Sequence, residues 1–332
     1  MRLAVVLLLT ATALAQWQAQ KSPTKESLRG VSIFDRENIW ASGTHGTYLM
    51  TRDGGKTWDV GKVPGAEELD FRGVKVFKEE VFLLASGTGD KSRIYHLGIG
   101  KQWELQYTNP DPKGFFDCMV FADERHAVVI GDPVNGKFQV LRTRDGGQTW
   151  QSIDSKNIPP AVDGEGSFAA SNSCVTTNGT GNIWFSTGGP AARVFHSTDG
   201  GETWAVADTP IVRGAPSQGT FSIAFRDPLH GVVAGGDYQH PEQTGPHLAR
   251  TEDGGKTWKL ADVTPQKFFS AVAYVEGTTP GIVMVGPAGF GLSGDDLHTW
   301  NLSGDEGFHA LASKQGVILA VGANGKIAML KP

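Results

Sequence analysis

The sequence is poor in cysteine, has no excess of basic charge and contains no long apolar run. Its two cysteines are too few for a four-thiolate zinc site. A formal net charge of −5 argues against a nucleic-acid-binding protein, which requires a basic face. No segment carries the roughly 20 apolar residues of a transmembrane helix. We therefore expect no nucleic-acid partner, no membrane span, no cofactor and no metal site.

The first 15 residues have the pattern of a secretory signal. Arg2 supplies the positive start, residues 3–11 form an apolar core, and residues 13–15 (Ala-Leu-Ala) form a small-x-small cleavage site. Cleavage would leave Gln16 as the N-terminus. We predict a signal peptide over residues 1–15 and a mature protein, residues 16–332, that is secreted or periplasmic.

Glycine is abundant, and it marks an internal repeat. Four nearly identical octapeptides, each with Asp-Gly-Gly and a Thr-Trp ending, occupy residues 51–58, 143–150, 197–204 and 251–258. Residues 293–300 keep the Asp and the Thr-Trp, and residues 96–103 keep mainly the Trp. The terminal tryptophans lie 42 to 54 residues apart, which is typical of propeller blades.

Between the octapeptides, short apolar strands alternate with polar turns, giving four strands in each unit. Counting units predicts an all-β, seven-bladed β-propeller that forms one domain. The last unit, residues 308–330, has only three strands. We predict that residues 17–21 add the fourth, which would close the ring and remove an exposed sheet edge.

The octapeptide itself is explained by turn chemistry. Asp-Gly is a strong hairpin signal, since the turn needs positive φ and an acceptor for backbone N–H groups. The terminal Trp can bury its ring against the next blade. We therefore assign structural roles to these residues: Asp53, Trp58, Asp145, Trp150, Asp199, Trp204, Asp253, Trp258, Asp295 and Trp300.

These octapeptides resemble the Asp-box (BNR) repeats of the sialidase-like superfamily of propellers. The strand order places them on one face, and places the turns between the second and third strands on the other. Loops on that opposite face are long and polar, and loops on a rigid scaffold commonly carry function. We predict that ligand or partner contacts include Asp117, Asp132, Arg193, Asp237 and Tyr238, within a wider set that adds Asp70, Arg72, Glu165 and His309.

Two functions are compatible with that face. The single ring with an export signal resembles photosystem II assembly and stability factors and their bacterial relatives, which implies a monomeric, non-catalytic scaffold that binds a partner protein. The alternative is a glycoside hydrolase acting on a glycan, with two of Asp132, Asp237 and Glu165 as its carboxylate pair. The Arg-Ile-Pro motif of true sialidases is missing, and we assign no catalytic residue.

Cys118 and Cys174 fall at near-equivalent places in the inner strands of blades three and four. An oxidising compartment permits a bridge between them. We favour two separate buried thiols. His240, Glu242 and His247 share one loop, and we interpret them as solvated side chains instead of metal ligands.

Overall fold

In the computed structural model, residues 16–77, 80–263, 265, 267–276 and 281–331 are described, and the predicted signal peptide lies outside them. They form seven four-stranded antiparallel sheets. Blade 1 contains β2 (Leu28–Ile33), β3 (Ile39–Gly43), β4 (Thr47–Thr51) and β5 (Asp59–Lys62). Blade 2 contains β6 (Phe71–Phe77), β7 (Glu80–Ala85), β8 (Arg93–Leu97) and β9 (Trp103–Thr108). Blade 3 contains β10 (Phe116–Phe121), β11 (Ala127–Val134), β12 (Lys137–Thr143) and β13 (Gln151–Ser152).

The remaining blades repeat this order. Blade 4 contains β14 (Val175–Asn178), β15 (Asn182–Ser186), β16 (Arg193–Ser197) and β17 (Ala205–Asp208). Blade 5 contains β18 (Gln218–Phe225), β19 (Gly231–Asp237), β20 (Leu248–Thr251) and β21 (Lys259–Leu260). Blade 6 contains β22 (Ala271–Val275), β23 (Gly281–Gly286), β24 (Gly289–Ser293) and β25 (Leu302–Gly304), and blade 7 contains β26 (Ala310–Lys314), β27 (Val317–Val321), β28 (Ile327–Lys331) and β1 (Gln16–Ala19).

Among the described residues, helix is confined to three single turns of 3₁₀ type, at Gly89–Lys91, Ser155–Asn157 and Ala323–Gly325. Within the described ranges, no helix has the length and apolar character needed to cross a membrane. The predicted seven-bladed, all-β propeller is confirmed.

The ring closes through its two ends, as predicted. β1 is the outer strand of blade 7 and pairs antiparallel with β28, with Trp17 opposite Leu330. The strand covers residues 16–19 instead of 17–21, although the Gln20 N–H still donates to the Ile327 carbonyl at 2.9 Å. Trp17 is buried, and its ring packs against Phe308 of blade 7 and Phe290 of blade 6.

The core consists of layers between neighbouring blades. Phe82 of blade 2, for example, packs against Phe121 of blade 3 at 4.6 Å between ring centroids, and Phe121 meets Trp150 edge to face. Aromatic pairs in this geometry stabilise beyond their buried area. Each blade is therefore held mainly by the two blades beside it.

Each of the five Asp-box carboxylates is bonded within its own turn. Asp53 accepts from the Thr51 hydroxyl at 2.8 Å, and from the N–H and hydroxyl of Thr57 at 2.9 and 2.6 Å. Gly54 and Gly55 follow with φ of 71° and 85°, a conformation that favours glycine. These hydrogen bonds lower the pKa of Asp53 to about 2. The same bonds recur at Asp145, Asp199, Asp253 and Asp295.

The tryptophans that end the four complete boxes are all buried: Trp58, Trp150, Trp204 and Trp258. Trp300, which ends the divergent fifth box, is only partly buried.

The interpretation of the cysteines as separate thiols was wrong. Cys118 in β10 and Cys174, just before β14, form a disulfide. Both residues are fully buried. Inner strands of neighbouring blades converge on the propeller axis, and this brings the two Cα atoms to 5.9 Å, inside the range that a disulfide requires.

Candidate functional site

A cavity of about 820 Å³ opens on the face opposite the Asp-boxes. All seven blades contribute to its wall, so it lies on the propeller axis, and we call it the axial cavity. Its volume is within the usual range for ligand pockets. The wall includes Arg29, Arg72, Asp117, Asp132, Phe221, Tyr238, Ser270 and His309.

Bulges at equivalent places in several blades build this wall. The pairing register of the inner strand shifts by one residue at Arg29, Arg72, Asp117 and Phe221, and that of β11 shifts at Asp132. A bulged residue is left out of the ladder, and its side chain is redirected. The bulges therefore turn one side chain from each of these strands toward the axis.

The sequence carries a local signal for several of these positions. In blades 1, 2 and 3, an apolar residue that begins the inner strand is followed by the bulged residue, as in Phe71-Arg72 and Phe116-Asp117. Blade 7 has Phe308-His309 in the same place. Aligning blades 1, 2, 3 and 7 at this position indicates four equivalent residues of the cavity wall: Arg29, Arg72, Asp117 and His309.

Blades 7, 1 and 2 give the cavity a basic side. Nη1 of Arg29 lies 3.5 Å from Nδ1 of His309. Burial and the neighbouring Arg72 lower the pKa of Arg29 to about 10, so its guanidinium stays charged at neutral pH. Burial and Arg29 lower the pKa of His309 to about 4, so this imidazole is neutral.

Arg72 is only partly satisfied. Its Nη1 donates to the Ala169 carbonyl at 3.0 Å, and its Nη2 lies 3.9 Å from the Asp70 carboxylate. Its buried Nε–H has no acceptor among the described residues. A buried donor without a partner is unfavourable, so this atom is suited to bind a ligand.

Blade 3 gives the cavity an acidic side. Asp117 is 1% exposed, and its Oδ2 has no donor among the residues that the structure describes. Burial and the neighbouring charge of Asp132 raise the pKa of Asp117 well above its ordinary value. Asp132 accepts from the Ser167 N–H at 3.0 Å, and burial raises its pKa to about 6.

A loop between blades 3 and 4 reaches across the axis, and we call its residues 165–174 the crossing segment. The Ser171 hydroxyl donates to the Ser270 carbonyl of blade 6 at 2.7 Å. Asn172 accepts from the Met119 N–H of blade 3 at 2.8 Å and donates to the Met119 carbonyl at 3.1 Å. The disulfide fixes the end of the segment at Cys174.

The crossing segment also supplies an aromatic side to the cavity. Phe168 stacks on Phe221 with ring centroids 3.7 Å apart. Tyr238 meets both rings edge to face, and Phe268 meets Phe221 in the same way at 4.6 Å. Sequence reasoning found the long loop but not the aromatic stack, because nothing in its composition shows that it turns inward.

Three of the five predicted contact residues line the axial cavity: Asp117, Asp132 and Tyr238. Tyr238 is 48% exposed and lies at the rim. Asp237 is buried and instead caps its own loop, accepting from the Gln239 N–H at 2.9 Å. Its role as a partner contact stays a prediction.

Arg193 is not part of the cavity wall. Its Nε and Nη2 donate to the carboxylate of Glu165 at 2.9 and 2.5 Å, and that carboxylate is fully buried. The pair holds the crossing segment against blade 4. A partner contact at Arg193 therefore also stays a prediction, and a substitution there would disturb the loop.

The loop histidines have partners within the protein. His247 donates from Nδ1 to the Lys267 carbonyl at 3.0 Å, and His240 pairs with Asp237 at 3.1 Å. Across the described part of the chain, no group of three metal-ligating side chains is close enough to hold an ion.

Known proteins resemble this chain in sequence. The family model of the photosynthesis system II assembly factor YCF48 matches residues 9–105, and the BNR/Asp-box repeat model matches residues 195–205. The photosystem II assembly protein Ycf48 of Thermosynechococcus vestitus (strain NIES-2133 / IAM M-273 / BP-1) is 24% identical over 292 residues, which cover 78% of this chain and 79% of that protein.

Solved structures resemble it in fold. YCF48 bound to D1 peptide aligns with a TM-score of 0.67 and 16% identity over 95% of both chains. YCF48 from Cyanidioschyzon merolae aligns with a TM-score of 0.66 and 18% identity over 95% of this chain and 99% of that one. Virginiamycin B lyase from Staphylococcus aureus aligns equally well, at 0.67 with 13% identity over 96% of this chain and 100% of that one. An enzyme shares the fold, so the fold alone does not assign a function.

The repeats, the family match and the ring of seven sheets together show that the chain is a propeller of BNR/Asp-box repeats close to the photosystem II assembly factors.

Proposed function

We propose that this protein is an exported, non-catalytic scaffold that binds a segment of a partner protein in the axial cavity. One observation carries the proposal: on its basic and its acidic side the cavity wall has a buried atom, Nε of Arg72 and Oδ2 of Asp117, without a partner among the described residues. Such groups are unfavourable unless a ligand satisfies them. The relationship to proteins that assemble photosystem II, one of them solved with a bound D1 peptide, supports a protein as the ligand.

The residues at the cavity rim favour a peptide ligand that enters from the face opposite the Asp-boxes. Tyr238 is about half exposed beside the stacked rings of Phe168 and Phe221. Partly exposed aromatic residues next to a pocket are common anchors at protein interfaces. The opposite face has Asp-box turns whose carboxylates are already bonded within the turn, so it offers fewer free groups.

Site-specific photocrosslinking tests this function. A benzophenone amino acid is introduced at Tyr238, on the rim, and in a matched variant at Lys56, in an Asp-box turn. Both proteins are expressed in the native host, irradiated and analysed by mass spectrometry. We expect a protein crosslinked through position 238 and not through position 56. Equal crosslinking from both faces, or none from position 238, would contradict the proposal.

Export and oligomeric state belong to the same proposal. The pattern of residues 1–15 supports export, and a mature protein that begins at Gln16 in the exported fraction is the expected result. Intact mass in each cell fraction measures this directly. We also propose a monomer, which light scattering during gel filtration tests.

Hydrolysis of a glycan is the second candidate, and one observation favours it. Asp117 and Asp132 both line the cavity, and burial raises the pKa of each. Glycosidases use two carboxyl groups, one of them kept protonated at neutral pH. Hydrolysis of a glycan that is lost in both Asp117→Asn and Asp132→Asn would support this alternative.

A further inference from the structure

The axial cavity has opposite charges on different parts of its wall. Arg29 and Arg72 extend from the inner strands of blades 1 and 2, and Asp117 and Asp132 extend from blade 3. All four are bulged residues that the strand ladders leave unpaired. The charged wall is therefore built into the fold, and it differs from a set of mobile surface side chains.

Arg72 and Asp117 attract each other, but each still has one buried atom without a hydrogen-bond partner. Nε of Arg72 and Oδ2 of Asp117 are both buried, and neither has a partner among the described residues. The two arginines also repel each other, since the charge of Arg72 lowers the pKa of Arg29. A carboxylate would satisfy the basic side, and an ammonium group would satisfy the acidic side.

A ligand with a single charge fits this wall poorly. An anion bound to Arg29 and Arg72 would leave Oδ2 of Asp117 without a donor and would face the Asp132 carboxylate. A cation bound to Asp117 and Asp132 would leave Nε of Arg72 without an acceptor and would add to the repulsion. A ligand with both an acceptor and a donor satisfies both buried atoms at once, and one that carries both charges does so with the stronger, charge-assisted hydrogen bonds.

The third part of the wall is aromatic. The stacked pair Phe168 and Phe221, with Phe268 and Tyr238 against their edges, faces the same space. This surface suits the apolar part of a ligand, because burial of apolar area against aromatic rings is favourable.

We propose that the axial cavity recognises a zwitterionic group, with its carboxylate on Arg29 and Arg72 and its ammonium on Asp117 and Asp132. Two sources share this chemistry: a free amino acid, and a peptide chain that ends in lysine, which carries a terminal carboxylate and a side-chain ammonium on one residue. In the second case the inference rests on the proposed scaffold function and names the feature of the partner that the cavity binds.

Four probes share the phenylalanine side chain and differ only in which of the two charges they carry. L-phenylalanine carries both, N-acetyl-L-phenylalanine carries only the carboxylate, L-phenylalaninamide carries only the ammonium, and N-acetyl-L-phenylalaninamide carries neither. Calorimetric titration of the full protein at pH 6.5, where the ammonium of L-phenylalaninamide is protonated, measures each affinity. We expect the zwitterion to bind at least about tenfold more tightly than either singly charged probe. A matching pair of peptides, ending in lysine or in norleucine, tests the second source.

Two conservative variants identify the part of the cavity wall that binds each charge. Asp117→Asn should reduce the affinity for L-phenylalanine to about the affinity for N-acetyl-L-phenylalanine. The affinity for N-acetyl-L-phenylalanine itself should not change. Arg29→Gln should reduce the affinity for L-phenylalanine to about the affinity for L-phenylalaninamide, and the affinity for L-phenylalaninamide should not change. Asp90→Asn is the matched control, since its carboxylate is 77% exposed on the same face, and it should change no affinity. An unchanged circular dichroism spectrum and a single cooperative unfolding transition establish that the variants are folded.

The outcomes separate this inference from the proposed function. Equal binding of L-phenylalanine and either singly charged probe would overturn the zwitterion site, as would no binding of any probe or of the lysine peptide. If that result came with a protein crosslinked at position 238, the scaffold function would stand without this specificity. If position 238 captured nothing as well, both would be wrong.

Discussion

Reducing the disulfide between Cys118 and Cys174 should lower the free energy of unfolding by about 4 kcal/mol. The two residues are 56 positions apart, so the bond restricts a loop of that length in the unfolded chain. The chain-entropy relation gives a loss of roughly 14 cal/mol/K for such a loop, or about 4 kcal/mol at 25 °C. Both cysteines are fully buried and the bond joins blade 3 to blade 4, so its loss should also loosen the crossing segment.

Urea unfolding followed by tryptophan fluorescence measures this effect. Wild type is compared with and without reductant, and the double variant Cys118→Ala/Cys174→Ala serves as a control that reductant cannot change. Alkylation and intact mass establish the oxidised state of the starting protein. Two alkylatable thiols in the oxidised protein, or a loss of stability below about 1 kcal/mol on reduction, would refute the reasoning.

Three further predictions concern single side chains. Trp150→Ala should destabilise the protein by about 3–5 kcal/mol, because the ring is buried between blades; an unchanged urea midpoint would contradict this. Asp132 has a folded-state pKa of about 6, above its ordinary 3.8, so wild type should gain stability as pH falls from 7 to 4. Asp132→Asn should be about 3 kcal/mol more stable at pH 7.5 and converge with wild type below pH 4, as measured by unfolding across pH. Asp253 has a pKa of about 2, below its ordinary 3.8, so its contribution should be present above pH 4 and lost between pH 4 and 2. Asp253→Asn should show a shallower acid-unfolding curve over that interval than wild type does.

The fold was predictable because its signals are local and repeated. The Asp-Gly-Gly-x-Thr-Trp pattern defines a turn through hydrogen bonds among residues within four positions of one another, such as Asp53 to Thr57. Regular spacing of this turn gives the blades. The ring closure by residues near Trp17 followed from counting strands, since a blade with three strands leaves an open edge.

The site was predictable only in part. Asp117, Asp132 and Tyr238 were expected on the correct face and line the axial cavity. Arg29 was not predicted, and neither was the pairing of Arg193 with Glu165. These depend on where a bulge redirects a side chain and on which long loop turns inward. A local pattern marks the bulged residue in blades 1, 2 and 3, whereas neighbours in the chain do not determine which long loop turns inward.

The sequence by itself therefore determined the repeat, the turn chemistry, the number of blades and the face away from the Asp-boxes. Only the tertiary structure decided that Cys118 and Cys174 are bridged, that residues 165–174 cross the axis, and that buried charges of both signs meet in one cavity. The physical reason is convergence: inner strands from seven blades, far apart in the chain, come together at the axis. Distances and burial there depend on the closed ring as a whole.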